Sequence, residues 1–238
     1  MAVPLNRQGY EIICPDLPLY GYTDYTGTIS YHHWVDYGVE IAKQFQRADV
    51  PLFLFGLSAG GMLAYQVACE MDSINGVMAT CLLDQRNSTV TKKTASNPLA
   101  AIAGKPFLKL LHRPLGAMKL PMKAVCNMRA IVNNQELAEL LMADKRSSGA
   151  NVSIEFLYSM LNPLIKIEPC KFDKCPVLLV HPQRDNWTDL SLSQLFFNEL
   201  RCKKELKLLY GAGHFPIEPE GLKQLELYCV DFISKFSR

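Results

Sequence analysis

The sequence predicts an α/β protein built on a mostly parallel sheet. Three observations carry this. Strand-like and helix-like segments alternate along both ends of the chain. The strand-like runs are almost wholly apolar instead of alternating apolar and polar, the pattern of strands covered on both faces. The chain is 238 residues long, 49 % apolar and 20 % charged, which suits one large domain with a substantial core and not a disordered chain.

The elements follow in order. Tyr10–Cys14, closed by Pro15-Asp16 and a turn-rich PLYGYT, reads as a buried strand. Residues 31–47 place Trp34, Val35, Val39, Ile41, Ala42 and Phe45 near helical spacing, with charges between, and predict a surface helix. VPLFLFGLS is the next strand, AGGMLAYQVACEM the next helix and INGVMATCLLD the third strand.

After Asp84 the alternation stops for about ninety residues, longer than a crossover needs. Segments 97–118, 134–145 and 151–161 read as helices, Asn134 as the N-cap of the second, with no strand pattern between them. Alternation then resumes: CPVLLVHPQRD as a strand, LSLSQLFFNELRC as a helix, KELKLLYGAGHF as a strand and loop, and GLKQLELYCVDFISKF as a closing helix. The expected organisation is a core of residues 1–86 and 171–238, with residues 87–170 a helical insertion, a lid over the carboxyl ends of the strands.

Composition narrows the function. A formal net charge of +2, with no dense basic run, gives no reason to expect nucleic acid. No stretch approaches the ~20 apolar residues of a membrane span, and the first residues lack a charged leader followed by an apolar run, so a cytoplasmic protein is expected. The eight cysteines are scattered without a C-x-x-C pair or a histidine at zinc-ligand spacing. They read as mostly reduced core residues, and no metal or other cofactor is called for.

The chemistry lies in Gly56-Leu57-Ser58-Ala59-Gly60, set where a strand becomes a helix. Glycines two before and two after Ser58 would remove side chains that collide at so sharp a turn, projecting the hydroxyl at a helix N-terminus whose free amides favour negative charge. A serine hydroxyl needs an imidazole to take its proton, and the imidazole needs a carboxylate to hold its tautomer. Later strands end in candidates for both: Asp185 closes PVLLVHPQRD, and His214 follows the last strand in LLYGAGHFP. Asp84, one strand earlier, is the rival acid. His181, inside an apolar strand, reads as structural, and His32, His33 and His112 as surface or packing residues. Trp187 fits either an acyl pocket or rim packing.

The segments GLSAGG, HPQRDNWTD and GAGHFPIEPEG are similar to the nucleophile, acid and histidine segments of the α/β-hydrolase superfamily, in particular its lysophospholipase, monoacylglycerol lipase and esterase-like members. The resemblance spans nearly the whole chain. It implies Ser58 as nucleophile, Asp185 as acid, His214 as base and the Ala59 backbone N–H as one oxyanion donor, acting on a small-molecule carboxylic ester, with thioesters and amides open to the same machinery; the lid, rich in Leu, Met and Ala, favours a hydrophobic, lipid-like acyl chain over a sugar. PDLPLYGYT resembles the superfamily's D-x-P-G-x-G-x-S loop with Leu19 in place of a glycine, which gives Asp16 a structural role.

Two departures temper the resemblance. The superfamily's first strands, and the loop that donates a second oxyanion amide, have no counterpart ahead of Tyr10, so a non-catalytic or weakly active binding protein is the alternative. The strand normally found between Tyr10–Cys14 and PLFLFG is also missing. Either the sequence is an incomplete version of a longer protein, or those two strands close up on each other.

Overall fold

The structure, a computed structural model, describes residues 2–237. Its centre is a four-stranded parallel sheet of β1 (Phe53–Gly56), β2 (Gly76–Ala79), β5 (Val177–Pro182) and β6 (Lys204–Leu209), paired in that spatial order. Phe53 pairs with Gly76, Val77 with Val177, and Val177 with Lys204. All six residues of β5 are buried, as the unbroken apolar run requires.

Side chains alternate across the sheet and divide the core in two. Val77, Ala79, Val177 and Leu179 face one cluster, shared with α2 (Tyr31–Phe45), α3 (Ala59–Glu70) and α9 (Leu190–Phe197). Met78, Leu178, Val180 and Leu209 face the other, closed by Leu5 of α1 (Ala2–Arg7) and by Leu225, Cys229 and Phe232 of α10 (Pro219–Phe236). Helices therefore cover both faces, and every strand delivers its carboxyl end to the same edge.

Between the adjacent strands β2 and β5 the chain makes its long excursion: α4 (Ser88–Thr94), α5 (Pro98–Leu115), β3 (Lys119–Pro121), α6 (Met122–Val125), α7 (Gln135–Ala143), β4 (Asn151–Ser153) and α8 (Ile154–Leu161). Asn134 caps α7, its side chain accepting from Leu137 N–H at 2.9 Å. The expectation that no strand interrupts these helices is overturned. β3 and β4 form an antiparallel ribbon in which Leu120 pairs with Val152, so the helix expected over 151–161 begins only at Ile154. Ser153, whose hydroxyl accepts from Phe156 N–H, is its N-cap.

The expected strand Tyr10–Cys14 is a second correction. It joins no ladder and does not close up on β1, whose one described partner is β2. The physical reason is lateral: the backbone of Tyr10 bonds to Leu5 and Asn6 in the turn before it, and among the described residues no strand lies alongside the segment to pair with the rest. Only Tyr10 and Ile12 pack, against the α10 cluster, while Ile13 and Cys14 are exposed. Residues 2–7 are helical and do not supply the missing neighbour.

All eight cysteines are free. Cys69, Cys81, Cys175 and Cys229 are buried, Cys126 and Cys202 half-buried, and Cys14 and Cys170 exposed. Among the described residues no helix is long and apolar enough to cross a membrane.

Candidate active site

Ser58 occupies the turn between β1 and α3 at φ 55°, ψ −123°, a conformation an L-residue holds only when its surroundings impose it. Three contacts impose it here. Ser58 N–H donates to the Thr80 hydroxyl at 3.0 Å, Gly60 N–H to the Leu57 carbonyl at 2.9 Å, and Gly61 N–H to the Ser58 carbonyl at 2.9 Å.

The glycine pattern works differently from the expectation. A β-carbon on Gly56 would lie 1.9 Å from the Gly60 carbonyl oxygen, so that position must stay bare. A β-carbon on Gly60 meets nothing within 4 Å. The second close approach falls one residue later, at Gly61, where a β-carbon would lie 2.1 Å from the carbonyl oxygen of Cys81 just beyond β2. α3 packs onto the neighbouring strand's end through Gly61, outside the G-x-S-x-G pattern.

The structure brings Ser58, His214 and Asp185 into one line. Ser58 Oγ lies 2.7 Å from His214 Nε2, and His214 Nδ1 lies 2.7 Å from Asp185 Oδ2. An ionised carboxylate can only accept, so Nδ1 carries the ring proton and Nε2 offers its lone pair to the serine hydroxyl. The His214 and Asp185 side chains are each about 1 % exposed. Ala59, the first residue of α3, is exposed, and among the described residues its backbone N–H donates to no acceptor.

Asp185 is held ionised by its surroundings. Burial pushes its carboxyl up, but the hydrogen bond and charge of His214 and two bonds from Thr188 outweigh burial and hold it below the usual carboxylate range. Oδ1 accepts from the N–H groups of Trp187 and Thr188 at 2.8 and 2.7 Å, and Oδ2 accepts from the Thr188 hydroxyl at 2.8 Å. Thr188 Oγ1 also sits 3.2 Å from His214 Nδ1, so one hydroxyl touches both partners. The three-residue step from Asp185 was a local signal that sequence reading passed over.

Asn133 was also missed, and no local signal marks it. Its side-chain NH₂ donates to the Arg184 carbonyl at 3.1 Å, its oxygen accepts from Asn186 at 2.8 Å, and it packs against Gly213. A residue of the excursion thus clamps the two loops that carry Asp185 and His214. Phe215 adds a tie, its N–H donating to the Ile131 carbonyl at 3.0 Å. An open cavity of about 300 Å³ lies against this clamp, lined in part by Asn127, Arg129, Gln135 and Asn186.

The remaining candidates fall elsewhere. Asp84 is bound by Arg86, which also holds Glu168, and does not meet His214. Trp187 packs on the His214 ring with centroids 4.9 Å apart and donates to the Thr94 carbonyl at 3.4 Å. His33 accepts from Ser30 N–H at the start of α2. His112 stacks on Tyr158 and pairs with Glu155 at 3.0 Å. Burial pushes the imidazoles of His32 and His181 down. Asp16 accepts from Tyr22 N–H at 3.0 Å and fills the space where a β-carbon on Gly21 would go. Leu19 adopts φ 83°, so its position demands a glycine-like backbone although leucine occupies it. Among the described residues no group of three or more His, Cys, Asp or Glu side chains is gathered to hold a metal.

The family model described as serine aminopeptidase, S33, matches residues 1–218. Among solved structures, the monoacylglycerol lipase of Paleococcus ferrophilus is similar over 93 % of this chain and 82 % of its own, with 22 % identity and a TM-score of 0.71. A soluble variant of monoglyceride lipase from Saccharomyces cerevisiae, in complex with a substrate analogue, is similar over 94 % of this chain and 76 % of its own, with 18 % identity and a TM-score of 0.68. Alpha/beta hydrolase domain-containing protein 10 from mouse is similar over 88 % and 71 %, with 15 % identity and a TM-score of 0.54. No curated protein sequence matches. A parallel sheet delivering a serine, an acid and a histidine to one edge, with a family match over most of the length, leads to one conclusion: the chain belongs to the serine aminopeptidase S33 family of α/β hydrolases.

Proposed function

We propose that the protein is a serine hydrolase of carboxylic esters carrying a hydrophobic, lipid-like acyl chain. The observation that carries the reading is the pair of 2.7 Å contacts that join Ser58 Oγ, His214 and Asp185. In this mechanism His214 Nε2 takes the Ser58 proton as Oγ attacks the ester carbonyl carbon. The Ala59 N–H donates to the oxyanion of the tetrahedral intermediate, at the positive end of α3. Collapse expels the alcohol, which receives the proton from His214 and leaves an acyl-enzyme. Water, deprotonated by the same nitrogen, then releases the acid and restores Ser58. Asp185 holds the imidazole tautomer and stabilises the cation formed in each half-reaction.

Residues 87–170 are the proposed lid. The excursion is rich in apolar residues, among them the buried Met122, Ile131 and Val132, and that composition favours an acyl chain over a sugar. The names of the two lipase structures agree with that class.

A fluorophosphonate probe tests the reading. Stoichiometric labelling that is lost in Ser58→Ala supports it. Absence of labelling in a folded sample would favour a non-catalytic binding protein. Rates on p-nitrophenyl esters of increasing chain length test the lid, and a sharp preference for acetate over longer acyl groups would remove the lipid-like substrate.

A further inference from the structure

Helix α5 presents its apolar side to water. Leu99 and Ile102 are each 75 % exposed, Leu110 74 % and Phe107 53 %. At about 100° per residue, Leu99, Ala103, Pro106 and Leu110 fall within about 60° of one another, and Ile102 and Phe107 widen the stripe. Among the described residues of α5, Leu108, on the opposite side, is the one buried in the core, and α5 lies on α8. The exposed stripe is therefore not the face that holds α5 in the fold.

Charge identifies what the stripe fits. Between Gln85 and Gln135 there are nine Lys or Arg residues and no Asp or Glu, although the whole chain has a net charge of +2. The rest of the chain is thus net acidic, and the positive charge is concentrated on the excursion. Arg86 is paired with Asp84 and Glu168, and Lys105 donates to the Gln85 carbonyl. Among the described residues, Lys92, Lys93, Lys109, Arg113, Lys119, Lys123 and Arg129 form no ion pair. Lys109 and Arg113 run along one edge of the α5 stripe. A water-facing apolar strip edged with unpaired cations suits an interface that offers both hydrocarbon and negative charge.

We propose that α5 docks the protein on an anionic lipid surface, with Leu99, Ile102, Phe107 and Leu110 entering the headgroup boundary and Lys109 and Arg113 facing acidic headgroups. A partner protein with an acidic rim would need a shaped apolar groove. A bilayer needs only the stripe and the charge, both of which are present. The inference stands apart from hydrolysis, because it concerns where the protein sits.

Co-sedimentation of Ser58→Ala with vesicles tests it without turnover. Vesicles of phosphatidylcholine with one-third phosphatidylglycerol are compared with pure phosphatidylcholine. The expected result is at least tenfold tighter binding to the anionic vesicles, since each basic side chain near such a surface contributes about fivefold, and loss of that difference in high salt. Lys109→Glu combined with Arg113→Glu should abolish the preference. Leu99→Ser combined with Leu110→Ser should weaken binding to both vesicle types, with an unchanged melting temperature because these side chains are exposed. Equal binding to both vesicle types, or binding to neither, overturns the proposal. So does a dimer that Leu110→Ser dissociates, which would make the stripe an interface with a second copy.

Discussion

The carbonyl oxygen of Cys81 lies 2.1 Å from where a β-carbon on Gly61 would stand. That approach presses the first turn of α3 onto the end of β2 and fixes the height of Ser58 above the sheet edge. Gly61→Ala should therefore destabilise the fold by at least 1–3 kcal/mol, because backbone must move to admit the methyl group. Gly60→Ala meets nothing within 4 Å and should be neutral or stabilise by up to about 1 kcal/mol through helix propensity. Urea unfolding of the two variants checks the pair. The reverse order would mean that α3 meets β2 differently.

Ser58 gives a second test, independent of activity. Its φ of 55° with ψ of −123° stores backbone strain on the order of 1–3 kcal/mol for a residue with a β-carbon. Ser58→Ala and Ser58→Gly both delete the hydroxyl and its bond to His214, so the difference between them isolates the backbone. Glycine should be more stable than alanine by about 1 kcal/mol or more, the strained dihedrals adding to the ordinary preference for glycine over alanine at an N-cap. Thermal unfolding of both variants reads this directly, and equal stabilities would show that the turn relaxes.

Thr188 touches both members of the acid–imidazole pair. Thr188→Val keeps the shape but removes one of the bonds that hold Asp185 ionised. A hydrogen bond to a charged, buried group contributes about 1.5–3 kcal/mol, and Thr188→Ser should recover most of it. Asp185 is depressed in the fold, so its contribution is complete above its ordinary value of 3.8 and is lost as pH falls below that toward its folded value. In Thr188→Val the acid loss should begin at the same pH but be smaller and end at a higher pH, because the folded value then lies closer to 3.8. On an ester substrate, kcat should fall about tenfold while KM changes little, because the hydroxyl orients the imidazole and does not reach the substrate.

How much of this was legible in the sequence follows from the range of each signal. Ser58, Asp185 and His214 each end a strand or open a helix, so local pattern and parallel topology together put them at one edge. The helices were readable for the same reason, down to Asn134 as a cap. What could not be read depends on contacts distant in sequence. Tyr10–Cys14 has the composition of a strand and still joins no ladder, because pairing needs a neighbour that composition does not supply. The β3–β4 ribbon is only three residues on each side, too short to show a period. Asn133 holds loops more than fifty residues away, and the requirement at Gly61 is set by the Cys81 carbonyl just past the end of another strand.

His181 supplies a prediction about pH. It is 2 % exposed in the middle of the sheet, and its Nδ1 has no hydrogen-bond partner. Burial lowers its imidazole below the ordinary value of 6.5, and the nearby Asp185 carboxylate opposes this without cancelling it. A histidine depressed in the fold is neutral there while the unfolded chain takes up a proton, so stability falls as pH drops from about 6.5 toward the folded value. Each such group contributes a slope of up to about 1.4 kcal/mol per pH unit in that window. His32 is shifted in the same direction and adds its own share, so removing one histidine reduces the slope without abolishing it. His181→Gln keeps a polar side chain that cannot titrate, and its urea-unfolding free energy should be flatter than that of the parent between pH 7 and about pH 5 by up to one proton's worth. An unchanged slope would mean that His181 takes up protons alike in the folded and unfolded chains, the Asp185 charge then offsetting its burial in full.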